Sequence, residues 1–255
     1  MIYIDRYAYI SKLKKTNPLQ KFLFAIITLI VCIWANSITV SIIVILMMGW
    51  MTVYKGGTSI VAYSKLLLIP ASFVVISILT IVINASATQT DFICSVNIAG
   101  TYIGISKFEI GKIERLCLKT ISTVSSLYFL SLTTPMVDLM AVLYKLKMPK
   151  ILVEIMGLTY RFIFILIEAL DNMFTAQSSR LGYTSKVSWY RSMAILVSSL
   201  FLKSYKRCDD MYIALESRGY YGQLNVLQEP FGKEKHWYFV IFAINVLLII
   251  ISIVV

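Results

Sequence analysis

The chain has 255 residues, 58% hydrophobic and only 15% charged, against about 25% charged in an ordinary soluble domain. Lys and Arg number 24 against 13 Asp and Glu, yet near-chargeless runs of bilayer length argue against a nucleic-acid binder, so the positive excess reads as membrane topology and partner docking. Cys32, Cys94, Cys117 and Cys208 lie apart with no Cys-x-x-Cys pair, and the single His236 stands beside Trp237 at the start of an apolar run, which speaks against a disulfide framework or a resident metal site.

In chain order, a basic lead carries Arg6, Lys12, Lys14, Lys15 and Lys21. It is long for a secretory signal and no small-x-small cleavage site follows cleanly, so the first apolar run, 22–35, is expected to be retained. Residues 38–54 follow after only Asn36-Ser37, which predicts a tight helical hairpin. The run 66–83 is chargeless, with Pro70 near its start, where a missing N–H is tolerated. The run 116–134 carries one Lys119, which can snorkel, and 237–255 carries no charge. The expected fold is an all-α integral membrane protein with about five transmembrane helices plus long amphipathic cytoplasmic helices. Its expected parts are an N-terminal membrane domain 1–134, a cytoplasmic coupling region 135–236 and a C-terminal span 237–255.

Orientation follows from the Lys and Arg distribution. Alternating spans place the basic lead, the Lys55 and Lys65 link and the long basic stretch 135–236 on one side. That side is expected to be the cytoplasm, with the protein multi-pass in the cell membrane and its N-terminus inside.

Two amphipathic helices are predicted in the cytoplasmic stretch, 149–179 and 187–217. Leu152, Ile155, Phe162, Leu166, Ala169 and Met173 form an apolar stripe on the first, and Glu154, Arg161 and Glu168 another, charged one. Tyr190, Ala194, Val197, Phe201, Tyr205, Cys208, Tyr212 and Leu215 form a stripe on the second. Each stripe could pack within the protein or meet a partner. The helices end alike, in Ser179-Arg180-Leu181-Gly182-Tyr183 and Ser217-Arg218-Gly219-Tyr220-Tyr221. A basic residue there suits the helix dipole, and Gly182 and Gly219 are helix-stop signals. Arginine is equally a planar fork suited to a carboxylate, so from spacing alone Arg180 and Arg218 are either helix-end charges or docking groups.

Catalytic features are scarce. There is no glycine-rich phosphate loop, so the chain is not expected to be an ATPase. A single interfacial histidine cannot build a nucleophile–base pair. Asp209-Asp210 has no second acidic cluster to complete a metal site and reads as surface ion pairing. No catalytic residue, metal ligand or cofactor is expected.

Several blocks then occur in an ordered series. They are Ile4-Asp5-Arg6-Tyr7-Ala8-Tyr9, Asn17-Pro18-Leu19, Leu132-Thr133-Thr134-Pro135, Met148-Pro149, Tyr160-Arg161-Phe162-Ile163, and the two arginine-bearing ends. With these, nearly the whole chain resembles the T component of energy-coupling factor (ECF) transporters, most closely the cobalt/nickel type called CbiQ. The resemblance implies a noncatalytic scaffold joining two ATP-binding cassette ATPase subunits to a small substrate-capturing membrane subunit, with the metal held by the latter. It also implies that the x-Arg-x motifs, Ser179-Arg180-Leu181 and Ser217-Arg218-Gly219, dock one on each ATPase, serine standing where the family usually has alanine. Pro135, Pro149, Arg161 and Gly182 are assigned structural or helix-breaking roles. A vitamin-type T component, an ABC permease or an integral membrane enzyme remain alternatives.

Overall fold

The computed structural model describes residues 3–35, 37–82, 84–86, 92–98, 101–220 and 236–254. The protein is an all-α integral membrane protein, with one small sheet as an addition. The chain divides into two compact units, Ile2–Leu139 with Pro230–Val255, and Met140–Glu229. Asn36, Ile83, Val255 and the stretch 221–235, to which the sequence assigns a turn, span ends and part of the coupling region, lie outside the described residues.

The larger unit begins with α1 (Tyr3–Ile10) and a 3-10 turn, Lys12–Lys15. Helix α2 (Pro18–Trp34) starts where Pro18, with no N–H to satisfy, follows Asn17, whose side chain accepts from the Leu19 amide at 3.1 Å. Helix α3 (Ile38–Trp50) runs into a π-turn, Met51–Lys55, and α4 spans Ile60–Val82. Next come β1 (Asn84–Ser86), β2 (Phe92–Ile98) and β3 (Thr101–Ser106), a three-stranded antiparallel sheet in the order β1-β3-β2 with Ile98 opposite Thr101. Helix α5 (Lys107–Thr133) follows, and α9 (His236–Val254) closes the unit. Three helical segments, Ile38–Lys55, Ile60–Ile78 and Ile113–Thr133, are long and apolar enough to cross a membrane. Pro18–Trp34 and Trp237–Ile253 are apolar but shorter. The 17 residues of α2 rise about 25 Å against a hydrocarbon core of about 30 Å.

Helix α5 is the hub. Helices α2, α3 and α4 all pack on it, whereas α2 and α3 touch each other little, so the expected tight hairpin is instead two consecutive helices leaning on a third. Small side chains explain the close approach: Ser122, Ser125 and Ser126 of α5 are fully buried, and small residues let backbones meet where no hydrophobic force between helices operates. The Ser126 hydroxyl is returned to its own helix, donating to the Ser122 carbonyl at 3.1 Å. Phe24 and Phe129 meet edge to face with ring centroids 5.6 Å apart. Tyr63 and Ser125 share a 2.5 Å hydrogen bond between α4 and α5.

Pro70 corrects the sequence reading. Helix α4 begins at Ile60 rather than at Leu66, so Pro70 lies in its interior. An interior proline removes the N–H that would bond the carbonyl four residues earlier, that of Leu66. The Tyr128 hydroxyl, from α5, donates to that carbonyl at 3.1 Å. A neighbouring helix thus replaces the missing bond, as apolar surroundings require.

Helices α2 and α9 run in the same direction. Their first turns flank one cavity, and deeper along both, Thr28 Oγ1 donates to Asn245 Oδ1 at 3.2 Å. The single Thr28 hydroxyl proton is shared with the Phe24 carbonyl at 2.7 Å, and Asn245 Nδ2 donates to the Ile241 carbonyl at 2.8 Å.

The smaller unit contains most of α6 (Met136–Lys145), then α7 (Lys150–Ser179) and α8 (Lys186–Ser217). The long helices match the expected 149–179 and 187–217 to within one residue. Their 30 and 32 residues correspond to rods of about 45 and 48 Å. The stripes pack less than amphipathicity suggests. On α7 only Ala169 is buried, while Leu152 and Ile155 are exposed. On α8 the buried residue is Leu196, outside the predicted stripe, and Tyr190, Val197, Phe201, Tyr205 and Tyr212 are all exposed.

Candidate functional site

The two arginine-bearing ends share one backbone geometry. Arg180 caps α7 at φ −93°, ψ 17°, and Arg218 caps α8 at φ −93°, ψ 11°. The next residue in each is left-handed, Leu181 at φ 58° and Gly219 at φ 72°. The amides then fold back in the same pattern. Leu181 and Gly182 bond the carbonyls of Ser178 and Gln177 at 3.0 and 2.9 Å, while Gly219 and Tyr220 bond those of Glu216 and Leu215, both at 3.0 Å. Each is a Schellman ending, which satisfies the last carbonyls of a helix.

The two ends use glycine differently. Gly219 occupies the left-handed position itself, where a missing Cβ removes the steric penalty. In the first end Leu181 takes that position, at a penalty of about 1–2 kcal/mol for an L-residue, and it is 70% exposed. Gly182 is glycine for another reason. A Cβ there would lie 2.7 Å from Ser192 Oγ and 2.9 Å from the Gln177 carbonyl oxygen. The hydroxyls of Ser188 and Ser192 both donate to the Gly182 carbonyl, at 2.8 and 2.9 Å, which fastens the start of α8 to the end of α7.

A tyrosine hooks each end. The Tyr183 hydroxyl donates to Gln177 Oε1 at 2.6 Å and its ring stacks on Phe174 with centroids 4.8 Å apart. The Tyr220 hydroxyl donates to Glu154 Oε2 at 2.9 Å, a bond that holds its phenol above the ordinary value. These tyrosines were not singled out in the sequence, although Gly-Tyr occurs in both motifs. Because Tyr220 is bound near the start of α7 while Arg180 ends it, the arginines stand on the order of 40 Å apart along that helix.

Both guanidinium groups are exposed, and neither pairs with a carboxylate among the described residues. The Ser179 hydroxyl donates to the Thr175 carbonyl at 2.9 Å and that of Ser217 to the Ala214 carbonyl at 3.0 Å, so both serine donors are spent inside their helices. Pro135 separates α5 from α6, and Pro149 is the residue before α7. Arg161 is exposed midway along α7. No group of three or more His, Cys, Asp or Glu suited to a metal occurs among the described residues. The arrangement can present two rigid, permanently charged forks to two acidic surfaces.

Comparison with known proteins gives these features a context. The family profile described as CbiQ, cobalt transport protein, matches residues 10–228. An uncharacterized protein of Methanocaldococcus jannaschii is 32% identical over 98% of this chain and 92% of its own. The cobalt transport protein CbiQ of Salmonella typhimurium is 24% identical over 88% of this chain and 99% of its own. A putative fused cobalt transport protein CbiMQ of Methanocorpusculum labreanum is 25% identical over 89% of this chain but only 38% of its own. The chain belongs to the CbiQ family of cobalt transport proteins, membrane components of the cobalt-type ECF transporters.

Proposed function

We propose that this chain is the noncatalytic coupling subunit of an ATP-driven ECF importer of cobalt or nickel ions. It joins two cytoplasmic ATP-binding cassette subunits to a small membrane subunit that captures the metal. Its N-terminus and both arginine ends face the cytoplasm of a cell membrane, in keeping with the basic residues of the lead and of 135–236.

The observation that carries this reading is the duplication itself. A helix-end charge that merely complements the dipole needs no particular backbone beyond the cap. Here two helices end in the same Schellman geometry, each offers an exposed arginine, and each is hooked by a tyrosine. A separation of about 40 Å suits two sockets on two subunits rather than one shared pocket. ATP-driven closure of the ATPase pair would move both sockets, and the rigid rods α7 and α8 would carry that movement to the membrane. The fused relative, in which this region occupies a minor part of a longer cobalt transport protein, supports close association with a second transport component.

Proteoliposome uptake with labelled cobalt and competing nickel tests the proposal. The complex containing the unaltered chain is expected to accumulate metal only with ATP, and the Arg180→Ala, Arg218→Ala complex to accumulate none. Uptake by the double variant at the unaltered rate would refute the coupling role. Failure of the unaltered complex to take up either metal would refute the cargo.

A further inference from the structure

A second site lies wholly within the larger unit. The first turns of α2 and α9, together with the π-turn, enclose a cavity of about 280 Å³. Its chemistry changes along its length. Phe24, Ile241 and Ile244 line an apolar end, and Asn17, Lys21 and Lys55 a polar one.

The polar end holds a cation without an anion. Lys55 Nζ lies 4.8 Å from the Trp237 ring centroid and 5.5 Å from that of Trp50, and pairs with no carboxylate among the described residues. The fold places it there deliberately tightly: the π-turn ends at Gly56, whose carbonyl accepts from the Ser11 hydroxyl and the Lys12 amide at 3.0 and 3.1 Å. Lys12 itself lies beside Gly57. Lys21 is otherwise engaged. It is 6% exposed, donates to the carbonyls of Leu13 and Thr133 at 3.1 and 2.8 Å, and has the Asp138 charge nearby. It therefore braces the wall, leaving Lys55 as the ligand charge. Asn17 spends its carbonyl oxygen on the Leu19 amide and keeps its amide donors. In sequence the lead carries Arg6, Lys12, Lys14 and Lys15 against Asp5 alone.

Tryptophans at the ends of apolar helices, here Trp50 at the end of α3 and Trp237 at the start of α9, mark a membrane–water interface. A simple anion would leave the walls of Phe24, Ile241 and Ile244 unfilled, and an uncharged chain would leave Lys55 unanswered. We propose that this cavity binds an anionic phospholipid. The phosphate meets Lys55 and the Asn17 amide, and the upper part of one acyl chain lies between Phe24 and the α9 residues Ile241 and Ile244. A volume just under the usual ligand-pocket range of about 300–1,000 Å³ suits that junction rather than a whole lipid, whose tails continue into the bilayer. Such a lipid would bridge α2, α9 and the π-turn.

The test is native mass spectrometry of the full chain released from bilayers containing phosphatidylglycerol and phosphatidylcholine with matched acyl chains. One phosphatidylglycerol per chain is expected to be retained in preference to phosphatidylcholine. Lys55→Gln should weaken that retention about fivefold, the worth of one interfacial lysine, while Lys203→Gln on α8 should not change it. Equal retention of the two lipids by the unaltered chain overturns the proposal. So does an equal loss in both variants, which would signify diffuse charge attraction, and so does displacement by millimolar inorganic phosphate alone.

Discussion

Tyr220 donates its hydroxyl to Glu154 at 2.9 Å, tying the second residue after the α8 cap to the beginning of α7. The bond fixes where Arg218 is presented, because only Gly219 separates Arg218 from Tyr220. Tyr220→Phe is expected to leave both helices intact and to speed amide exchange at residues 218–220, with transport reduced but less than by Arg218→Ala. Exchange unchanged at those amides would remove the tyrosine from the positioning role. The phenol is held above its ordinary value, so the stabilisation is present in full below about pH 10 and lost as pH rises through the higher, bound value. Between pH 6 and 9, as round working limits, exchange at these amides should show no step beyond its intrinsic pH dependence.

The first arginine end predicts opposite signs for adjacent substitutions. Leu181→Gly relieves a left-handed leucine and should raise stability by up to about 1 kcal/mol after the entropy of the unfolded glycine is counted. Gly182→Ala should lower it, because the new Cβ meets the Gln177 carbonyl and Ser192. Thermal unfolding of the purified chain reads both. If Leu181→Gly is neutral or stabilising yet impairs transport, the exposed leucine serves docking and not the fold.

Tyr128 offers a stability test inside the membrane portion. Tyr128→Phe removes the hydroxyl that replaces the bond Pro70 denies to the Leu66 carbonyl. A lost partner for a sequestered carbonyl costs about 1–3 kcal/mol. The same substitution combined with Pro70→Ala should be milder, since the alanine N–H can then serve Leu66. Strict additivity in a double-mutant cycle would contradict the replacement.

Much of this architecture is legible in the sequence because its causes are local. Asn17-Pro18 announces the start of α2, and the glycines after Arg180 and Arg218 announce the ends of α7 and α8. Hydropathy finds the apolar helices but not where they begin. Lys65 interrupts the apolar run, so hydropathy begins the span at Leu66 and leaves Pro70 near its start, whereas the helix begins at Ile60. The sheet was overlooked although Phe92–Ile98 and Thr101–Ser106 are short and separated by Ala99-Gly100, a hairpin-like spacing. Periodicity also identified the α8 stripe without revealing which face packs, because burial depends on what lies opposite. The tyrosine hooks were missed for the same reason: Glu154 is 66 positions from Tyr220, and no local pattern joins them.

Under the proposed function each arginine serves one ATPase. Truncating one partner of a desolvated Arg–carboxylate pair costs about 2–5 kcal/mol, enough to lower occupancy sharply. The direct measurement is native mass spectrometry of the complex assembled on this chain, counting ATPase subunits. The unaltered chain is expected to hold two, Arg180→Ala and Arg218→Ala one each, and the double variant none, with all variants inserted in the membrane. A double variant that still holds two ATPase subunits would contradict the claim.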